Sequence, residues 1–213
     1  MLSCALANTD PTVMWARERI LVMEFISGRR PDDLTYLDAN GIDRDEVSAA
    51  FAHIFNEMIF GSNAPLHCDP HGGNIAIRKN TTRRSPNFDI ILYDHGLYRD
   101  IPQELRRNYA KLWLSVIDGN EQQMRKYAYE VAGVTDEYFP LFASAITGRD
   151  YSVLSKKKIT SARDAAEKRH MTTALADGKL QQLVNLLGKV PRIILLILKT
   201  NDLSKLGHVV ICS

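Results

Sequence analysis

Runs of branched apolar residues and helical spacings of apolar residues succeed one another along this chain in the order strand, helix, hairpin, helices. Ile20, Leu21, Val22, Met23 and Phe25 make residues 19–25 a strand by propensity, and Gly28, Arg29, Arg30 and Pro31 break it. Asp43 opens a helix as its N-cap, with Glu46 three positions on in the capping-box pattern. Val47, Ala50, Phe51, Ile54, Phe55 and Met58 then recur at helical spacing until Gly61. That apolar face is wide, so the helix is expected to pack inside a helical layer. His53 lies on this apolar helix and reads as a core histidine rather than a ligand.

A polar, turn-rich loop covers 62–73. Short apolar runs at 74–78 and 88–93, separated by the basic turn 80–86, predict a β-hairpin. From Pro102 onward the pattern is helical. Leu105, Tyr109, Leu112, Trp113 and Val116 mark one buried stripe, and Asn120 with Gln123 starts the next helix, which stops near Gly133. Further short helices are expected at 136–146, 161–176, 179–188 and 191–199. Residues 149–170 form the most polar long stretch, read as a solvated face or a mobile segment. The fold class expected is α+β, mainly helical, with a hairpin set among helices.

Composition changes this picture little. The chain has 213 residues, 45% hydrophobic and 24% charged, within the range of ordinary globular proteins. A net charge of +2 argues neither for nor against nucleic acid, which is not expected as a partner. Cys4, Cys68 and Cys212 are too few and too scattered for a disulfide framework, which favours a reducing compartment. Cys68 reads as a small buried residue. Residues 1–9 lack the basic start and apolar length of a signal peptide. The apolar stretch Ile193–Leu198 is far shorter than the roughly 20 residues a spanning helix needs.

The chemistry is concentrated in His67-Cys68-Asp69-Pro70-His71-Gly72-Gly73-Asn74. An Asp followed five residues later by an Asn is the spacing of a kinase catalytic loop, where the Asp takes the acceptor proton and the Asn holds a metal ion. Pro70 and the two glycines let such a loop double back. A second carboxylate should follow on the far strand of the hairpin, and Asp94-His95-Gly96 stands there. Mg²⁺ prefers oxygen ligands and keeps several waters, so Asn74, Asp94 and phosphate oxygens suffice to hold it. Two other readings use the same residues. His67, Cys68, Asp69 and His71 could bind a transition metal, although zinc ligands commonly come from separated pairs. Alternatively, Asp69 and Asn74 do no more than cap turns.

The strings HCDPHGGN and LYDHGLY, with Val22-Met23-Glu24-Phe25-Ile26-Ser27-Gly28 upstream, resemble the UbiB family of atypical kinase-like proteins over about residues 19–202. The resemblance implies a protein-kinase-like C-terminal lobe with ATP and Mg²⁺ as cofactors. It makes Asp69 the catalytic-loop aspartate, His67 the histidine that supports the loop, and Asn74 and Asp94 the metal ligands. It sets the backbone of Glu24 and Ile26 against the adenine edge. Gly72 stands where the family has Pro, and His95 stands where kinases have the Phe of Asp-Phe-Gly. The latter is similar to a mitochondrial sub-branch concerned with lipid and membrane homeostasis, which implies a mitochondrial location.

The family's alanine-rich loop and Lys-x-Gly-Gln motif lie before its hinge, and neither occurs in residues 1–28. That stretch is therefore expected to be a remnant N-lobe strand and hinge, 29–202 the kinase-like lobe, and 203–213 a tail, the whole being a fragment. Three functions follow as expectations. One is a kinase or ATPase of the phosphotransferase class with weak nucleotide affinity and low turnover. Another is a pseudokinase-like regulatory module whose strand 19–25 offers an unpaired edge to a protein partner. The third is contact with acidic lipid headgroups through Arg29, Arg30 and Lys156–Lys158.

Overall fold

The computed structural model describes residues 11–62, 64–149, 151, 184–186, 188 and 190–200. The expected helix at 161–176 and most of the polar stretch 149–170 lie outside the described residues, as do the tail and residues 1–10. The architecture is mixed, with helices predominating over three two-stranded antiparallel sheets among the described residues. The chain divides into two compact units, one of Met1–Arg99 with Lys199–Ser213, the other of Asp100–Leu198.

In the first unit, β1 (Val13–Arg17) and β2 (Ile20–Met23) form a hairpin closed at Glu18 and Arg19. The expectation of an unpaired strand at 19–25 is corrected here, because the second apolar run, Val13-Met14-Trp15, pairs with the first. The ribbon is nonetheless exposed, from Met14 at 72% to Phe25 beyond its end at 91%. A six-residue helix, α1 (Leu34–Ala39), follows, with Asp33 accepting from the Tyr36 N–H at 3.0 Å. Helix α2 (Arg44–Phe60) starts where its cap predicts. The Asp43 carboxylate accepts from the N–H groups of Asp45 at 2.8 Å and Glu46 at 3.0 Å. The Glu46 carboxylate reaches across to the Ser85 hydroxyl. His53 is exposed rather than in the core, because it faces away from Val47, Phe51 and Phe55.

The hairpin that carries the site is β4 (Ile75–Lys79) with β5 (Phe88–Leu92), paired from Ile75↔Leu92 to Lys79↔Phe88. Between α2 and β4 lies β3 (Leu66–His67), and β6 (Tyr98–Arg99) follows β5 and pairs with β3. One face of the main hairpin (Ile75, Ile77, Phe88, Ile90, Leu92) packs on Leu37, Val47, Ala50, Phe51 and Phe55 of the two helices. The other face sets Ala76 and Ile91 against Ile26. Burial on both faces explains why Phe88–Leu92 is apolar nearly throughout instead of alternating. The hinge segment closes down on this second face. Arg29 and Ile77 exchange N–H···O bonds of 2.9 and 2.7 Å, and a Cβ on Gly28 would stand 2.7 Å from that of Ala76. Only glycine permits that approach.

Asp89 is the one charged side chain inside the ladder strands that is fully buried among the described residues. Arg78 donates to it at 3.0 Å, Asn80 at 2.9 Å, and Arg83 closes a second ion pair. Burial pushes the Asp89 carboxyl up, but the hydrogen bonds from Asn80 and Arg78 and the charge of Arg83 outweigh it and hold it low. A carboxyl held below its unfolded value stabilises the fold above about pH 4, and that contribution is lost as pH falls through the lowered value. Asp89→Asn is therefore expected to blunt the acid-induced drop in Tm between pH 5 and 3. A Tm that falls equally in both proteins would remove Asp89 as its source.

In the second unit, α3 (Gln103–Asp118) and α4 (Glu121–Ala132) pack together across a turn at Gly119, whose φ of 68° is the left-handed region. Tyr109, Leu112 and Val116 are buried and Leu105 and Trp113 half-buried, as the stripe predicts. Helix α5 (Phe139–Thr147) begins three residues later than expected, because 136–138 form a turn on the Thr135 carbonyl. Residues 192–200 are helical where 191–199 was expected, with Ile194 and Ile197 fully buried; Leu198 is the last of them in this unit, and Lys199 and Thr200 belong to the first. No helix among the described residues is long and apolar enough to cross a membrane.

Candidate functional site

The register of β4 on β5 brings two of the expected residues together. The N–H of Tyr93 donates to the Asn74 carbonyl at 2.9 Å, continuing the ladder past its last pair. One step further, the Asn74 amide Nδ2 donates to Asp94 Oδ2 at 3.1 Å, across 20 residues of sequence. The other carboxylate oxygen, Oδ1, accepts from the Gly96 N–H at 2.8 Å. A Cβ on Gly96 would lie 2.9 Å from Oδ1, so a larger residue there would push the Asp94 carboxylate aside. Asn74 is half-buried and Asp94 exposed, which leaves both open to a ligand from solvent.

His67 joins the catalytic-type loop to the Asp94 turn. The short β3–β6 ladder buries it to 2% exposure. Its Nδ1 accepts from the Asp69 N–H at 3.1 Å, and its Nε2 lies 2.7 Å from the Asp94 carbonyl. One tautomer serves both contacts: neutral imidazole with its proton on Nε2. Past Asp69 the chain turns on backbone bonds from His71 N–H to the Asp69 carbonyl (2.8 Å) and from Asn74 N–H to the His71 carbonyl (2.9 Å). A 3₁₀ turn, Gly72–Asn74, delivers the asparagine to the head of β4. Gly72 stands in open space.

The Asp69 carboxylate is half-exposed and accepts from Lys199 Nζ at 2.6 Å. That hydrogen bond, reinforced by the lysine's charge, holds the carboxyl below the usual range. The other two expected positions lie on the hinge. The Glu24 N–H donates to the Thr12 carbonyl at 2.8 Å. The Ile26 side chain is buried on Ala76 and Ile91, and its carbonyl accepts from the Tyr93 hydroxyl at 2.9 Å. The hinge backbone thus rests on the same hairpin that carries Asn74 and Asp94.

The donors of the transition-metal reading point to other partners. Both His67 ring nitrogens face backbone groups, His71 Nδ1 accepts from the Gly73 N–H, and the buried Cys68 thiol donates to the Leu66 carbonyl. Burial raises the Cys68 pKa, which keeps the thiol protonated and unreactive. Among the described residues no three His, Cys, Asp or Glu side chains converge on a point. The Asn74 amide carries a hard oxygen of the kind Mg²⁺ takes beside a carboxylate, phosphate and water, and it meets the Asp94 carboxylate here through its Nδ2.

Sequence reasoning missed Lys199, Tyr98 and Tyr93. Tyr98 stacks on His95 at 5.8 Å, donates its hydroxyl to His95 Nδ1 (2.8 Å) and lies 5.0 Å from the His67 ring. His95 Nε2 donates to the Leu92 carbonyl at 3.1 Å, so the residue in place of Phe folds back over the end of β5. The i, i+3 spacing of His95 and Tyr98 was a usable signal. Lys199 offered none, since 130 residues separate it from Asp69. Of the basic cluster, Arg30 pairs with Asp32 at 2.7 Å and Lys156–Lys158 lie outside the described residues.

A loop aspartate, a supporting histidine and an Asn–Asp pair at the end of one hairpin define an atypical kinase-like domain. The sequence matches the ABC1 atypical kinase-like domain over residues 8–128, and the chain belongs to that family, the UbiB family of the resemblance. It is 51% identical over 196 residues to "ABC1 family protein MCP2 homolog" of Schizosaccharomyces pombe, covering 91% of this chain and 35% of that protein. Identity is 47% over 200 residues to "ABC1 family protein MCP2" of Saccharomyces cerevisiae, covering 92% and 35%. It is 38% over 195 residues to "AarF domain-containing protein kinase 1" of Gallus gallus, covering 91% and 36%. The chain thus spans about a third of the length of these curated relatives. No solved structure matches.

Proposed function

We propose that this chain is the C-terminal lobe of an ABC1-type domain that binds Mg·ATP and transfers its terminal phosphoryl group to an acceptor or to water. The contact between the Asn74 amide and the Asp94 carboxylate, at the end of the hairpin that follows the Asp69 loop, carries this reading. Asn74 and Asp94 would hold Mg²⁺, which supplies charge neutralisation at the phosphates. Asp69 would take the proton of the attacking hydroxyl. His67 fixes the spacing of the Asp69 loop and the Asp94 turn by bonding to the backbone of both. The backbone at Glu24 and Ile26 would meet the adenine. The mitochondrial, lipid-homeostasis setting implied by the resemblance belongs to the same proposal.

Calorimetric titration with Mg·ATP tests it. Asp94→Asn is expected to weaken binding by about tenfold or more, because one charged ligand of the divalent ion is lost. Equal affinity in both proteins would remove Asp94 from the metal role.

A second reading, a regulatory module that binds a protein partner, draws on the exposed apolar ribbon β1–β2 with Met14, Leu21 and Phe25 open to water. A wild-type chain that takes up no Mg·ATP in the same titration would leave that reading standing alone.

A further inference from the structure

Transfer of a phosphoryl group spreads negative charge over three oxygens next to the carboxylate that receives the acceptor's proton. A cation near that carboxylate lowers the barrier by meeting the charge as it develops. The loop from Asp69 to Asn74 reads Asp-Pro-His-Gly-Gly-Asn and contains neither Lys nor Arg. The structure brings an ammonium from elsewhere: Lys199, near the end of the helical run 192–200, places Nζ 2.6 Å from Asp69 Oδ1. Both side chains are about half exposed, at 52% and 49%. An exposed pair of this kind adds little to fold stability, so its interest is chemical. Lysine carries a compact charge on a flexible stem and can change partners without backbone movement.

Resting on the kinase-like reading above, we infer that Lys199 is the cation of the transfer site. It orients Asp69 while no acceptor is bound and moves its ammonium onto the terminal phosphoryl group of a bound nucleotide. In the transfer, the acceptor oxygen forms the new bond to phosphorus and its proton passes to Asp69. The bond from phosphorus to the β–γ bridging oxygen breaks, and its electron pair leaves with ADP. Lys199 exchanges no proton in this step; it neutralises charge.

An ammonium that meets the terminal phosphoryl group discriminates nucleotides that carry it from those that do not. Calorimetry with Mg·ADP and with the Mg complex of the non-hydrolysable β,γ-imido analogue of ATP reads this directly. Lys199→Met is expected to weaken the imido analogue about tenfold and to leave Mg·ADP within about twofold, which also reports that the variant is folded. Lys199→Arg, which keeps the charge, is expected to restore most of the difference. If Lys199→Met weakens both nucleotides equally, or neither, while Asp94→Asn still weakens them, the role of Lys199 is overturned and the kinase-like reading stands. If the wild-type chain binds neither nucleotide, or Asp94→Asn changes nothing, both are overturned.

Discussion

Asp69→Asn is expected to lower Mg·ATP turnover by about 100- to 1000-fold while leaving nucleotide affinity within about twofold. The substitution keeps the shape of the side chain and its place in the loop, where the backbone is held by His67 Nδ1 and by the His71 N–H. What it removes is the only group of the loop aspartate that can accept a proton. In the wild type a carboxylate with an ordinary pKa of about 4 is already ionised across the neutral range, and the hydrogen bond from Lys199 lowers the Asp69 pKa further. Steady-state ADP release, read beside a calorimetric Kd, separates the two effects. Turnover unchanged in Asp69→Asn would strip the residue of the base role; a parallel loss of affinity would make it a binding residue instead.

The second large effect is on the scaffold. Phe88→Ala is expected to destabilise the protein by about 3–5 kcal/mol, from lost burial and from the cavity left behind. Phe88 is 1% exposed, stands opposite Lys79 in the ladder and packs in the layer shared with Val47, Phe51 and Phe55. A loss of that size is a large share of the roughly 5–15 kcal/mol that holds an ordinary domain folded. Urea titration gives the number, and Leu114→Ala on an exposed position of α3, at 58%, is the control expected to change by less than about 0.5 kcal/mol. A loss below about 1 kcal/mol for Phe88→Ala would mean that the layer between hairpin and helices is not the core of this unit.

What could be read in the sequence were the elements whose pattern is long or whose cap is unambiguous. Helix α2 has both the Asp43 cap and several turns of periodic apolar residues, and it forms where they say. The main hairpin was legible because its two runs are separated by a turn-rich, basic stretch, and with it came the approach of Asn74 to Asp94. Helix α1 has six residues, too few for a period to show. The β3–β6 ladder has two residues a side, and what makes it a ladder is tertiary: His67 and Tyr98 are held by contacts distant in sequence. His53 lies on the apolar helix α2 but off its stripe of Val47, Phe51 and Phe55, so the helix keeps that position in water. The partner of Asp69 escaped notice for a different reason. A single lysine near the end of a helix has no motif, and only the folded chain brings it to the loop.

Because the main hairpin is covered above and below, its two strands have no freedom to creep past each other. A slip of one residue would exchange Ile77 and Ala76 between unlike layers, one built from helices and the other from the hinge. The gap between the amide of Asn74 and the carboxylate of Asp94 is then not adjustable by small steps. The pair is either assembled or absent, so damage to the support should show as a fraction of molecules without a site, not as a population with a slightly worse one.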